Sequence, residues 1–366
     1  MLNDPFHVGS LEIPNRVLLS PLAGVSDVPF RRVCQELGAG LTYIEMLSAA
    51  GMPYNNHKIG ELVARDESEP ILGAQITGAN TEILGEGCRI LMNKDVKIDT
   101  LDLNMGCPVK KVVKRGCGSA IVKDPVLAGD QVRVARDTVE VPVTAKIRIG
   151  WTQNSLTVKD VCHHLAEAGA EMITIHGRVR DNSYSDPVQY DQIKNGFDAA
   201  KAASENVVCI GNGNVFDLAS TKRMVEETGC DGVLISRGAL GNPWIFKQIL
   251  NDTEEQPTAK EWIEVVLRHL QYHEEFYGEG HYAAIRFRKH LLWYVSGFPG
   301  SRPLRSEIGA LNTVADVRDR LQAYADTLPQ DIPRYEDLHQ FMKGDYDPKY
   351  EMDRKHDRGV EYYEEA

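Results

Sequence analysis

The sequence predicts an α/β fold, a TIM (β/α)8 barrel followed by an all-helical C-terminal domain. Short β-branched runs alternate with amphipathic segments across the first two-thirds of the 366 residues, which is the pattern of repeated βα units around a parallel sheet. Eight such units fit within about 250 residues, the usual size of this barrel. The predicted strands also end in polar or special residues, and a barrel gathers all of its strand ends at one mouth. An open doubly wound sheet is the structural alternative, but no GxGxxG follows the first strand.

The predicted strands run as follows. Val17–Pro21 opens into Pro21-Leu22-Ala23-Gly24, Leu41–Met46 carries Glu45, and Ile71–Thr77 carries Gln75. Thr100–Asn104 stops at Gly106 and Pro108, placing Cys107 just past the strand's carboxyl end. Val143–Arg148 carries Lys146 and Arg148, and Met172–His176 is followed by Arg178. Val207–Gly211 leads into Asn212-Gly213-Asn214, and Gly232–Ser236 leads into Arg237-Gly238. Amphipathic stretches such as Val126–Thr138 and Leu218–Thr228 separate them. Beyond Pro257, Trp262, Val265, Val266, His269 and Leu270 recur at helical spacing, and Ala283–Ser296 follows with a basic cluster. The expected division is a barrel over 1–250, a helical domain over 257–328, and an acidic, extended or partly disordered tail over 329–366 that lacks apolar periodicity.

Composition narrows the class. Hydrophobic residues make up 42% of the chain, enough for a substantial core, and no run approaches the length needed to span a bilayer. The N-terminus has neither a basic segment nor an apolar run, so a cytoplasmic protein is expected. Seven cysteines without a CxxC pair argue against a disulfide framework and against a zinc site, so no metal is expected. A net charge of −12 weighs against generic nucleic-acid binding, although much of the acid lies in 331–366 and leaves room for a local basic face.

Several residues carry candidate chemistry. A free cysteine is usually a small buried hydrophobe, but Cys107 sits between Gly106 and Pro108 near Lys110, Lys111, Lys114 and Arg115, cations that favour partial ionisation. The Gly-rich loops after the last two strands stand where barrels bind a phosphate, and each alone also reads as a tight turn. Lys146 lies inside an apolar strand and needs a partner, either a reduced flavin or a neighbouring carboxylate. His176 reads as a metal ligand, a base or a satisfied core histidine; without a second ligand at metal spacing, it is expected to donate to cofactor or substrate. His163 and His164 are adjacent on a helix and point to different faces. Arg178 is placed to hydrogen-bond a carbonyl-rich substrate through its planar fork. Arg286, Arg288 and Lys289, with Trp293 and Tyr294, interleave cations with aromatics, which suits RNA and equally a solvated helix face over core aromatics.

Taken in order, these motifs resemble the tRNA-dihydrouridine synthases, most nearly the bacterial B-type enzymes, from Asn15 to about Arg305. The resemblance rests on Pro21 through Arg31, Asn104 through Val113, Ala145 through Arg148, His176-Gly177-Arg178, Gly211 through Gly213, Arg237 through Phe246, and Arg288-Lys289-His290 with Trp293-Tyr294. It implies an FMN-bearing barrel and a helical tRNA-binding domain, with NADPH as reductant and a monomer that uses neither membrane nor metal. Pro21, Leu22, Ala23, Gln75, Lys146, Asn212, Gly213, Asn214, Ser236 and Arg237 would hold FMN with help from His176. Asn104 and Arg178 would contact the target uracil, the flavin N5 would give hydride to C6, and Cys107 would protonate C5. The chain departs from the family at Cys117, at Asn214 and over Asp181–Asp186. The alternatives are an FMN barrel acting on a small pyrimidine or enone, and a non-catalytic tRNA-binding protein.

Overall fold

The computed structural model describes residues 2–54 and 57–334. Eight parallel strands form the barrel: β1 (Val17–Leu19), β2 (Thr42–Tyr43), β3 (Leu72–Thr77), β4 (Thr100–Met105), β5 (Val143–Arg148), β6 (Met172–His176), β7 (Val208–Asn212) and β8 (Gly232–Ile235). Hydrogen-bonded neighbours run β1-β8-β7-β6-β5-β4-β3-β2, and β8 returns to β1. Between β1 and β2 the ring closes through Leu19 N donating to Leu41 O at 2.9 Å and Gly40 N donating to Val17 O at 3.0 Å. The predicted TIM barrel is therefore present. Its strands bury both faces, which is why they read as continuous apolar runs rather than as alternation.

Helices cover the outside. The helix α1 (Val28–Glu36) begins where Asp27 accepts from Phe30 N, with Pro29 in its first turn. The helix Pro125–Arg136 starts in the same way on Asp124, and Leu218–Thr228 starts on an Asp217–Ser220 capping box and ends at Gly229 with φ 68°.

The interior is layered along the barrel axis. A hairpin of Phe6–Val8 and Leu11–Ile13 closes the amino-terminal mouth, where Phe6, Val8 and Ile13 pack with Leu18, Leu41, Tyr43, Met172, Ile210 and Leu234. Polar side chains begin above this plug.

The C-terminal domain is built on α2 (Ala259–Tyr277) and α3 (His281–Tyr294), followed by the helices Ser301–Glu307 and Val314–Ala325. Trp262, Val266, Leu270, Phe287, Leu291 and Tyr294 form its core together with Val33 of α1 and Trp244 of the barrel. The two domains therefore share apolar surface. At the rim, Arg32 lies 3.6 Å from the Tyr272 ring centre and 3.1 Å from a Glu275 oxygen.

The chain does not leave the body at 329, where the tail is expected to begin. Ala259 N donates to Ile332 O at 2.9 Å, and the buried Arg334 guanidinium donates to Gly241 O at 2.6 Å, Ser296 O at 2.9 Å and Trp293 O at 3.2 Å. A guanidinium fork with several carbonyl acceptors holds this segment without apolar periodicity. The rest of the expected tail lies outside the described residues.

Candidate active site

Register sets which side chains share the upper mouth. Gln75 pairs with Asp102, Asp102 with Thr144, Asn104 with Lys146, Lys146 with Thr174, and Arg148 with His176, so a polar belt runs from β3 to β6. Its lower layer is closed on itself: Gln75 donates to Asp102 at 2.7 Å, Thr144 donates to the other Asp102 oxygen at 2.6 Å, and Asn104 donates to Gln75 at 2.8 Å. Burial pushes the Asp102 carboxyl up to about 6 against those hydrogen bonds and the charge of Lys146.

Lys146 has a different situation. Its half-buried ammonium meets no hydrogen-bond or ion-pair partner among the described residues, and burial with the charge of Arg148 brings it down to about 8 while Asp102 pulls it up. An ammonium near a buried carboxylate but without a hydrogen-bond partner has donors left for a ligand.

The loop after β4 is set by Asn104. Its side-chain oxygen accepts from Gly106 N at 3.2 Å and Cys107 N at 2.9 Å, a local turn that presents Cys107 at the strand end. Arg148 donates to Gly106 O at 3.1 Å, and Ser119 N donates to Cys107 O at 3.0 Å. Gly118, with φ 60°, lies so close that a Cβ there would stand 2.7 Å from Cys107 O. The loop is thus fixed from three sides, and Asn104 donates to no acceptor but Gln75 among the described residues.

Burial at Cys107 works against the partial ionisation that its basic neighbours favour. Burial pushes the thiol up, and the cations that oppose this are Arg148 and Lys146 rather than Lys110, Lys111, Lys114 or Arg115. The short helix Lys110–Lys114 carries its lysines away on the surface side of the loop. The surroundings of the half-buried Cys107 therefore favour its protonated form.

Across the mouth lies the glycine-rich side. Gly213 has φ 121°, and a Cβ on it would come within 3.0 Å of the His176 ring; Asn214 follows with φ 52°. The Asn214 side-chain oxygen accepts from both Arg178 at 3.1 Å and Arg237 at 3.2 Å. Asn212 is spent within the wall, donating to Leu234 O at 2.7 Å and Ser236 Oγ at 3.2 Å. His176 is held neutral by burial and by the charges of Arg148, Lys146, Arg178 and Arg237. Four cations thus gather around His176, which biases this end of the barrel toward positive charge.

Arg178 does not present an open fork. It is fully buried and donates to Asp186 O at 2.7 Å, Tyr184 O at 2.9 Å and Asn214 at 3.1 Å, with His176 Nε2 at 3.2 Å. It ties down the 181–186 segment, whose Tyr184 ring lies 4.2 Å from the Arg237 guanidinium and 6.5 Å from His176.

On the β1 side, Pro21 and Leu22 are half-buried and Ala23 exposed, in a turn where Leu22 N donates to Ser26 Oγ at 2.9 Å. Here the helical domain joins the site: Lys289 donates to Gly24 O, and the buried Glu45 carboxylate accepts from Gly24 N. Arg286 lies 4.6 Å from the Tyr277 ring centre on the same helix side. Arg288 departs from this grouping, donating to Leu311 O at 2.9 Å and Asn312 at 3.2 Å within the helical domain. Two helix positions from Arg286 is the opposite face.

Sequence reasoning missed Asp102, although a carboxylate two residues before Asn104 in an apolar strand points to the same face. It also missed a cluster of Asp27, His269, His273 and His290; the signal available was His269 and His273 four apart on one helix.

Fold and site together define a TIM-barrel enzyme with an electropositive strand-end pocket, a positioned thiol and a helical domain reaching its rim. Comparisons with known proteins specify the family. The profile described as Dihydrouridine synthase (Dus) matches residues 18–329. Relatives include tRNA-dihydrouridine synthase B of Pseudomonas aeruginosa, 34% identical over 83% of this chain and 91% of that one. The counterpart in Pasteurella multocida is 32% identical over 86% and 93%, and a probable tRNA-dihydrouridine synthase of Rickettsia bellii is 32% identical over 86% and 96%. The chain belongs to the dihydrouridine synthase family and is a tRNA-dihydrouridine synthase. Among solved structures, the 6-hydroxypseudooxynicotine amine oxidase of Pseudomonas geniculata shares the fold with a TM-score of 0.55 at 12% identity, covering 92% of this chain and 68% of that one.

Proposed function

We propose that this enzyme reduces one specific uridine of tRNA to 5,6-dihydrouridine with FMN held at the upper mouth and NADPH as reductant. The observation that carries the reading is the grouping at the upper mouth: Lys146 without a partner among the described residues, neutral His176, Arg178 and Arg237 about Gly213, whose positive φ and close approach to the His176 ring favour glycine. These residues fit a phosphate-bearing, anionic isoalloxazine cofactor. Gly213, Asn214 and Arg237 would take the phosphate, Lys146 and Gln75 the ring, and Pro21 to Ala23 its edge. When bound, FMN supplies hydride derived from NADPH.

The remaining work belongs to the protein. Cys107, kept protonated by burial, is a general acid that delivers its proton to C5 of the uracil. Arg148 and Asn104 hold the loop that positions the thiol. The remaining Asn104 N–H is available to the base. Uridine in folded tRNA must be unstacked to reach this depth, and Lys289 and Arg286 stand at the rim where RNA phosphates would pass. Both domains lie in one chain, which supports action as a monomer. Seven free cysteines and a tRNA substrate fit the cytoplasm; no helix among the described residues is long and apolar enough to cross a membrane.

Mass spectrometry of tRNA nucleosides from cells with and without the protein tests this. Loss of dihydrouridine at a defined position is expected. An unchanged profile in cells without a second enzyme for that position overturns the reading and favours a small pyrimidine or enone as substrate.

A further inference from the structure

Where the helical domain meets the barrel, four ionisable side chains are buried together, and the three histidines among them have too few partners. Asp27 caps α1, His269 and His273 lie one turn apart on α2, and His290 lies on α3. One donor atom from each falls within 4.8 Å of the others. The three histidines are fully buried and Asp27 is 7% exposed.

The hydrogen bonding around them is incomplete. His269 Nδ1 is 2.9 Å from the Tyr294 hydroxyl, which leaves His269 Nε2 without a partner. Both ring nitrogens of His273 and both of His290 also lack a hydrogen-bond partner among the described residues, although His273 Nε2 stands 3.4 Å from an Asp27 oxygen. Buried polar atoms are normally satisfied, and leaving one unpaired costs about 1–3 kcal/mol. Three buried rings with unsatisfied nitrogens, grouped about one carboxylate, call for an explanation.

We propose that Asp27, His269, His273 and His290 form a buried site for a divalent first-row cation, zinc by its donor set, that staples the helical domain to the barrel. Three imidazoles and one carboxylate, with no open side, are a closed four-ligand set of the kind zinc takes in structural sites. Tetrahedral zinc with bonds near 2.0–2.1 Å holds its donors about 3.4 Å apart, so small rotations of side chains already within 4.8 Å complete it. Tyr294 supplies the outer contact that orients His269. One Asp27 oxygen accepts from Phe30 N at 3.2 Å, and the oxygen that faces His273 also accepts from the Tyr277 hydroxyl at 3.1 Å, so both contacts orient the carboxylate. Phe30 and Phe287 shield the rings, with Phe287 5.1 Å from His269 and Phe30 5.3 Å from His290. Lys289 and Arg286 bring positive charge toward the cluster, and the buried Glu45 opposes it with a second carboxylate.

The consequence is positional. Asp27 lies three residues beyond Gly24, the residue whose carbonyl receives Lys289, so a cation here fixes the orientation of α3 against the β1 loop. The four residues are none of those assigned to the cofactor or the uracil.

Tag-free full-length protein, dialysed against metal-free buffer, is analysed for bound metal and titrated with zinc chloride alone. About one zinc per chain is expected, and after chelation zinc should raise Tm by about 5 °C. A folded wild-type protein that retains no zinc and shows no zinc-dependent Tm change overturns the proposal. So does a folded His269→Gln, His273→Gln variant that still holds one equivalent, because the metal then sits elsewhere. Should that variant fail to fold, Tyr294→Phe decides: zinc affinity lowered about 10–100-fold supports the site, and unchanged affinity overturns it.

Discussion

The two mouths of the barrel are made by the same eight strands and differ in what their side chains have left to do. At the lower mouth, Phe6, Val8, Ile13, Leu18 and Leu234 bury apolar surface against one another. At the upper mouth, Lys146, Cys107 and Asn104 stand among further cations, Arg148, Arg178 and Arg237. One end contributes stability, while the other gives up some of it by gathering like charges. That division follows from alternating strand geometry and from the loops that follow each strand end.

The sharpest way to break the comparison is Cys107→Ala, which should lower the rate of dihydrouridine formation by about 10²–10⁴ while Tm and flavin content stay unchanged. A rate within a few-fold of wild type in a single-turnover assay would remove the thiol from the chemistry. Next, Lys146→Met should weaken FMN binding by roughly 30-fold or more, since losing one member of a desolvated charge pair costs about 2–5 kcal/mol; fluorescence titration of the apoprotein reads this directly.

At the opposite mouth Ile13→Ala should cost about 2–5 kcal/mol of stability in denaturant unfolding and leave turnover per folded molecule unchanged. A large loss of turnover there would mean that the plug shapes the pocket. A smaller effect separates the rim cations. Arg286→Glu with Lys289→Glu should weaken tRNA binding and lower its salt slope by about 1 for each phosphate no longer neutralised, whereas Arg288→Glu should chiefly lower Tm. Equal effects of the two on tRNA affinity would contradict the assigned faces.

The upper mouth also sets a pH dependence. Burial raises the Cys107 thiol above its ordinary value of 9.0, so the proton is fully present at neutral pH and leaves only as pH climbs past that value. Because the thiolate is the nucleophile, alkylation of Cys107 by iodoacetamide should still be accelerating at pH 9.0. A rate that levels off at neutral pH would show an ionised thiol, unfit to act as the proton donor.

What is legible in the sequence is local. Most barrel strands are short apolar runs with Gly, Pro or Asn at or just past their ends, β2 (Thr42–Tyr43) being an exception, and Cys107 can be placed past β4 because Asn104, Gly106 and Pro108 are close beside it. The ionisation of Cys107 is not legible, since it depends on burial and on Arg148 and Lys146, residues of the next strand. Arg178 reads as a substrate ligand until its acceptors Tyr184 and Asp186 are brought back over it by their loop. The Arg286–Lys289 run is readable further than composition takes it, because helical spacing alone sets Arg288 on another face. The histidine cluster needs tertiary structure to bring Asp27 and His290 to the His269–His273 pair.

The most direct measurement supplies purified protein with FMN, NADPH and tRNA from a strain lacking dihydrouridine, and follows both NADPH oxidation and tRNA nucleosides by mass spectrometry. An electropositive pocket with a protonated Cys107 at its edge predicts dihydrouridine at one position, formed in step with NADPH consumed. NADPH oxidation with bound flavin but no dihydrouridine would contradict it.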